Sequence, residues 1–214
     1  MHPNPSFRRV EQAETLNFIK AHGFGTLTIN GADGPLLAHV PFWVNETATR
    51  VEAHLARSNS ILRALKDGPQ KAVLSIMGPH SYVSPDWYEI EDQVPTWNYV
   101  AAHLRGDLGL EPSESLPDHL DRLSKRFEDQ LEGPNWTMDK VDPEALNRML
   151  RMIVPISMSG ISIEATWKLG QNKDAGPRQS AGSEVRRQGI GIGLNDLADL
   201  MQSPPKDAPR DNSD

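Results

Sequence analysis

Gly78-Pro79-His80-Ser81-Tyr82-Val83-Ser84-Pro85-Asp86-Trp87-Tyr88, followed closely by Val94-Pro95-Thr96-Trp97-Asn98-Tyr99, is the stretch around which the chain is organised. It gathers Tyr82, Trp87, Tyr88, Trp97 and Tyr99 together with Pro79, Pro85, Pro95 and His80. Rigid aromatic side chains carry an apolar face and, in Tyr and Trp, a polar tip, which suits them to flat, partly polar ligands. Proline fixes the backbone that presents them. A proline-stiffened core turn with aromatic packing is the competing reading, and composition alone does not separate the two.

The flanking segments decide the fold class. Lys71 to Met77 reads as a strand, nearly all apolar after Lys71, and Thr96 to Leu108 as a long strand with room for a bulge. Upstream, Phe24 to Ile29 alternates, with Phe24, Thr26 and Thr28 on one face and Gly25, Leu27 and Ile29 on the other. The glycine-rich Asn30 to Gly34 is a hairpin connection to a return strand, Pro35 to Val44, and Arg50 to Ala56 makes a third. Ser58 or Asn59 caps a short helix through Leu65, ended by Gly68-Pro69. Residues 11–22 form a helix with Ala13, Leu16, Ile19 and Lys20 at helical spacing, stopped by Gly23. The βα alternation of a doubly wound sheet is missing. The expected architecture is a closed or partly closed antiparallel barrel with peripheral helices.

Downstream, Leu116, Leu120, Leu123, Phe127 and Leu131 form one stripe of an amphipathic helix capped by Ser115 and ended by Gly133-Pro134. His119 in this helix is expected to face solvent. Asp142-Pro143 opens a second helix carrying Leu146, Met149, Leu150 and Ile153. Ile156 to Trp167 returns to strand character. Residues 170–188 read as a mobile polar loop, Gly189-Ile190-Gly191-Ile192-Gly193 as a flexible approach, and Leu194, Leu197, Leu200 and Met201 as a last helix. Residues 203–214, rich in proline and charge, read as a disordered tail.

Composition narrows the function. The chain of 214 residues has 22 Lys and Arg against 29 Asp and Glu, a formal net charge of −7, which argues against a broad nucleic-acid face. It has no cysteine, so disulfides and thiolate metal sites are excluded. No apolar run reaches membrane-spanning length and Met1 to Arg9 lacks a secretory h-region, so the expected location is cytoplasmic.

The glycines at 189, 191 and 193 do not match the dinucleotide pattern G-x-G-x-x-G, and neither a Walker loop nor a Gly-x-Ser-x-Gly elbow is present. The seven histidines form no tight ligand pair. A composite site from His39 and His54 lacks a carboxylate at ligand spacing, so no metal centre is expected. His54-Leu55-Ala56-Arg57-Ser58-Asn59 is more informative. A strand end, an arginine, a hydroxyl and helix N–H groups together make a phosphate seat, against the plainer reading of a capped surface helix with an exposed arginine. Trp167-Lys168-Leu169-Gly170-Gln171-Asn172 ends the last strand with one cation and two amides, suited to a ring carbonyl or a phosphate and equally to an ordinary polar strand end. A flat ring on aromatic walls with an anchored phosphate describes flavin mononucleotide, FMN.

These clusters, in order along most of the chain and with Met1 to Phe7 and Ala38-His39-Val40-Pro41 added, resemble the PaiB-type family of FMN-binding negative transcriptional regulators. One departure is Gly170, where the family usually has a small hydroxyl residue. The resemblance implies a mainly β, split antiparallel β-barrel of the pyridoxamine-phosphate-oxidase type over residues 1–202, with a helical insertion at about 113–154 and the tail at 203–214. It implies a homodimer with FMN near the interface and a flavin- or redox-linked regulatory role. The candidate FMN-binding residues are His39, His54, Arg57, Ser58, Asn59, His80, Ser81, Tyr82, Trp97, Asn98, Tyr99, Lys168, Gln171 and Asn172. No catalytic residue is assigned. An FMN-dependent oxidoreductase, with His80, Trp97 or Tyr99 at the flavin edge, and a haem-binding relative are the alternatives. No helix-turn-helix with a basic recognition helix is visible, so direct DNA binding is doubtful.

Overall fold

The computed structural model describes residues 2–208. They form two compact units. The barrel unit takes in residues 20–75 and 104–163, and the terminal unit holds the residues up to 19, 76–103 and those from 164 on.

In the barrel unit, β1 (Phe24–Ile29), β2 (Leu36–Val44) and β3 (Arg50–Ala56) form an antiparallel meander. The sheet continues β3-β6-β5-β4, where β4 is Gln70–Val83, β5 is Thr96–Leu110 and β6 is Ile153–Lys168. Thr26 to Ile29 pair with Ser75 to Ala72, which returns β4 to β1 and closes a six-stranded antiparallel barrel. Alternation decides what fills it, because successive side chains on a strand point to opposite faces. Of the two faces of β1, the one with Gly25, Leu27 and Ile29 is buried, and Val40, Phe42, Val51, Ala53, Leu74, Leu108, Ile156 and Met158 join Leu27 and Ile29 in the core. The void among these side chains is only ≈ 10 Å³, about one water, so the interior is packed core.

After β3, α2 (Ser60–Ala64) starts where Asn59 accepts a hydrogen bond from Ile61 N at 2.9 Å. Between β5 and β6 lie α3 (Leu116–Glu128) and α4 (Pro143–Leu150), the latter capped by Asp142 as its sequence predicts. The expectation for His119 is corrected. It is 2% exposed and shares the buried stripe of α3 with Leu116 and Leu123. A histidine occupies that stripe because β3 supplies polar partners. His54 Nδ1 lies 3.2 Å from His119 Nε2, and Glu52 lies 3.7 Å from His119 Nδ1. Glu52 also accepts from Arg122 of α3 and from Arg50 at 2.9 Å, and Arg50 reaches Glu111 at 2.8 Å. Burial pushes the Glu52 carboxyl up, but hydrogen bonds from Arg50 and Arg122 hold it below its ordinary value. The Arg122 guanidinium also lies 5.1 Å from the Trp43 ring of β2. Leu131, counted in the expected stripe, lies beyond the helix end and is exposed.

α1 (Gln12–His22), whose residues up to Ile19 belong to the terminal unit, buries Thr15, Phe18 and Ile19; of the expected stripe Ile19 is buried, Leu16 and Lys20 are half-buried and Ala13 is exposed. Trp167 of β6 packs on the buried face: its indole N–H donates to Thr15 Oγ1 at 3.2 Å, and its ring meets Phe18 at 5.5 Å. Two loop expectations are overturned. Residues 175–188 form α5 (Ala175–Gln188), and the isoleucine–glycine run forms β7 (Ile190–Ile192), paired antiparallel with His80 to Tyr82. Small residues explain both. Ala181 and Gly182 let α5 lie close to α6 (Leu194–Gln202), where a Cβ on Gly182 would sit 3.3 Å from Ala198 O. A Cβ on Gly191 would lie 1.9 Å from His80 O, so only glycine fits against β4. Of the expected tail, residues 206–208 bond back to the chain near residue 10, through Glu11 N to Lys206 O and Ala208 N to Arg9 O; residues 209–214 lie outside the described residues.

Burial, then the neighbouring His54, lowers His119 from its ordinary 6.5 to about 4. The fold therefore resists protonation of His119. Its contribution is full above the ordinary histidine value and is lost as pH falls from there towards about 4, a loss of about 3 kcal/mol. Denaturant unfolding at about pH 7.5 and about pH 4.5 should show this drop in the wild type and a smaller one in His119→Gln; equal drops would refute it. Gly191→Ala should destabilise by about 1–3 kcal/mol and speed amide exchange in β7. Gly176→Ala, in α5 with open space around it, should stabilise by up to about 1 kcal/mol. Thermal melts giving both changes the same sign would contradict the contact argument.

Candidate functional site

The site in the terminal unit follows from two strand periodicities. Along β5, Trp97, Tyr99, Ala101 and His103 recur every second residue and share one face, while Asn98 and Val100 are buried on the other. Along β4, strict alternation breaks once. Ala72, Leu74, Ile76 and Gly78 are buried, then the consecutive Pro79 and His80 are both half-buried, and burial resumes at Ser81 and Val83. This phase shift has the effect of a bulge. It puts Met77 and His80, three residues apart, into the same cavity. Gly78 makes room for it, since a Cβ there would lie 2.5 Å from the Phe18 ring and 3.2 Å from Val100 O. His80 Nδ1 sits 3.1 Å from Gly78 O, and its ring lies 5.9 Å from Trp97 at 37°.

The resulting cavity, ≈ 470 Å³, is lined by His2, Met77, His80, Trp97, Tyr99, Ala101 and His103. That volume falls within the usual range of small-molecule pockets, about 300–1,000 Å³. The N-terminal segment contributes His2, whose backbone N–H donates to Thr166 Oγ1 at 3.2 Å. Asn4 N donates to His2 Nδ1 at 3.1 Å, which leaves the proton of the neutral ring on Nε2. Burial, then Lys168, holds the His2 pKa below its ordinary value, so the neutral ring is favoured. Among the described residues, no carboxylate, lysine or arginine lines the cavity. Its walls suit a flat, uncharged ring system, with imidazole, indole and phenol edges available for hydrogen bonds.

His80, Trp97 and Tyr99 are therefore brought together from the expected set. Tyr82 shares the phase of His80 but meets Trp87, at 6.4 Å. Ser81 turns inward, where its hydroxyl donates to Tyr82 O at 2.7 Å and accepts from Ile190 N at 3.2 Å, fastening β7. Asn98 also points inward, its Nδ2 3.5 Å from Met201 Sδ. The Lys168 ammonium donates to Thr96 Oγ1, and burial, then Lys173, lowers its pKa. Gln171 ties Ser6 O and Trp167 O together at 3.3 and 2.5 Å, and Asn172 is exposed just beyond β6. In the barrel unit, His39 bonds Thr26 Oγ1 at 3.1 Å, and His54 faces His119. Arg57 donates to Arg151 O at 2.7 Å and Ile153 O at 3.3 Å, beyond the end of α4; Ser58 is exposed and Asn59 caps α2. His2, Met77, Ala101 and His103 are the lining residues that sequence reasoning missed. The two-residue period from Trp97 reaches Ala101 and His103, but nothing local signals the phase shift or the return of the N terminus.

Residues 1–161 match the family described as "Putative FMN-binding domain". The chain is 30% identical over 174 residues to the protease synthase and sporulation protein PAI 2 of Bacillus subtilis (strain 168), covering 79% of this chain and 82% of that protein. Among solved structures, it is similar to the FAD and heme binding protein from Mycobacterium smegmatis, with TM-score 0.55 and 15% identity, over 86% of this chain and 82% of that one. It is also similar to the flavocytochrome Anf3 from Azotobacter vinelandii, with TM-score 0.52 and 14% identity, over 78% and 72% of the two chains. At such identities these structures speak to the fold, which they share. The family match and the PAI 2 relative agree with the motif resemblance, and the chain belongs to this FMN-binding domain family of PaiB type.

Proposed function

We propose that the protein binds FMN, with the isoalloxazine ring in the cavity of Met77, His80, Trp97 and Tyr99, and that it acts as a flavin- or redox-linked regulator. The observation that carries the reading is this cavity: aromatic and imidazole walls at every second position of β5, faced by His80, with no formal charge among the described residues of the lining. Bound FMN would supply one- and two-electron redox chemistry. The chain's own residues stack on the ring, exclude water from one face, and offer hydrogen bonds from His80 and Tyr99. The regulatory part rests on the family. A flavin oxidoreductase would instead turn over a reduced nicotinamide with an acceptor.

One observation favours a second reading. The imidazoles of His2, His80 and His103 line one cavity, with Met77 beside them, and imidazole and thioether are axial haem ligands. Structural relatives described as flavin- and haem-binding point the same way.

Titrating apoprotein with FMN should quench flavin fluorescence at a single site, and Trp97→Ala should weaken binding about tenfold, roughly 1.4 kcal/mol. An unchanged affinity would remove the cavity from the FMN reading, and a Soret band on adding hemin without FMN binding would replace it with haem.

We also propose a homodimer that binds DNA weakly. Met77, Trp97, Ile190 and Ile192 are exposed apolar residues of the terminal unit, side chains of the kind found at contact surfaces. The arginines of residues 178–187 are engaged: Arg178 with Met201 O, Arg186 with Asp199, and Arg187 with Glu184. Few phosphate contacts remain for a chain of net charge −7. Sedimentation velocity with a labelled candidate promoter fragment, in roughly 0.15 M salt, should give a dimer boundary without co-sedimenting DNA; a monomer, or sub-micromolar sequence-selective co-sedimentation, would overturn the respective half.

A further inference from the structure

Backbone groups fix the tautomers of two imidazoles in the aromatic cavity, and the two are opposite. Asn4 N can only donate, and it lies 3.1 Å from His2 Nδ1, so that nitrogen accepts and the neutral ring carries its proton on Nε2. Gly78 O can only accept, and it lies 3.1 Å from His80 Nδ1, so that nitrogen donates and Nε2 of the neutral ring has no proton. Both rings line the cavity. His2 therefore brings it a donor and His80 an acceptor. Each ring is also held in place. The His80 bond closes inside the phase shift of β4, and the ring stands 5.9 Å from Trp97. The N-terminal segment is pinned at several points. His2 N donates to Thr166 Oγ1 at 3.2 Å, Ser6 N to Asn4 Oδ1 at 2.9 Å, and Gln171 Nε2 to Ser6 O at 3.3 Å. The buried Phe7 ring meets His2 edge-on at 4.8 Å.

We infer that the cavity selects an uncharged flat heterocycle carrying both a ring N–H and a carbonyl, a lactam or cyclic imide, with His2 Nε2–H donating to the carbonyl and His80 Nε2 accepting from the N–H. This rests on the ring seating proposed above and deepens it, because the oxidised isoalloxazine has N3–H as its only ring donor, flanked by carbonyls. A site that hydrogen-bonds a ligand N–H rejects an analogue lacking it, since its own polar group is then left unpaired. Burial, then Lys168, holds the His2 pKa below its ordinary value, which keeps the ring in the neutral form the argument uses. An anionic ring would find no lysine or arginine among the described lining residues to offset its burial. The periphery of haem offers no N–H, so the same pair separates the two readings of the cavity.

The probes are lumiflavin, the FMN ring system without its phosphate chain, and 3-methyllumiflavin, which keeps both carbonyls and loses the N–H. Nitrogen NMR of the histidine rings in the whole protein, before any addition and at about pH 7.5, should show the proton on Nε2 of His2 and on Nδ1 of His80. Lumiflavin should then move the resonances of His2 Nε2 and His80 Nε2. 3-Methyllumiflavin should bind about tenfold or more weakly and move His2 Nε2 alone. His80→Phe should abolish the preference between the probes, and His2→Phe should weaken both alike. Equal affinities for the two probes in the wild type, or the opposite tautomer at either ring, would overturn the inference and leave FMN binding standing. Failure of the flavin reading looks different: neither FMN nor lumiflavin binds, yet lumazine, a smaller ring with the same imide, binds and moves His80 Nε2. Binding of none of these rings would overturn both.

Discussion

The strand from Gln70 to Val83 has to satisfy two incompatible periodicities, and much of the structure depends on how it does so. Its first half pairs with β1 and closes the barrel, which requires Ala72, Leu74 and Ile76 to point inward. Its second half pairs with β7 and presents His80 to the aromatic cavity, which requires Ser81 and Val83 to be the buried residues. A strand of period two cannot do both without an extra residue. Pro79 and His80 supply that slip, and Gly78 permits it by leaving the space that the Phe18 ring and Val100 O occupy. Pro79 suits this place because it has no N–H to offer a regular ladder.

Polar burial is managed with similar economy in the barrel unit. Burying a charge without a partner is expensive, whereas burying it among hydrogen-bonding partners is tolerable. Glu52 meets two arginines, and His54 and His119 share one contact between β3 and α3. The network fixes which face of α3 turns inward, a choice that apolar contacts leave less sharply determined because Leu120 and Phe127 are only half-buried. It also explains why a helix with so few buried residues sits in one orientation.

The cavity of the terminal unit has aromatic, imidazole and thioether walls, which strand alternation on β5 and the phase shift on β4 bring together. The barrel interior, by contrast, is filled to within about one water of close packing.

Much was legible in the chain itself. The alternation of Phe24 to Ile29, the Asn59 and Asp142 caps and the apolar run after Lys71 foretold strands and helices, because these signals are local. The PaiB-type motifs pointed to the family and, through it, to the split barrel. His80, Trp97 and Tyr99 stood out because aromatic density and proline stiffening are visible without a fold. What tertiary structure alone decided involves partners distant in sequence. His119 is buried because β3 offers it His54, α5 is a helix because Gly182 fits against α6, and Gly189 to Gly193 becomes a strand because β4 offers it an edge. His2 and Met77 join the cavity only because a phase shift and a returning N-terminal segment bring them there. Local periodicity carries no information about either, since both are set by contacts between segments up to 164 residues apart.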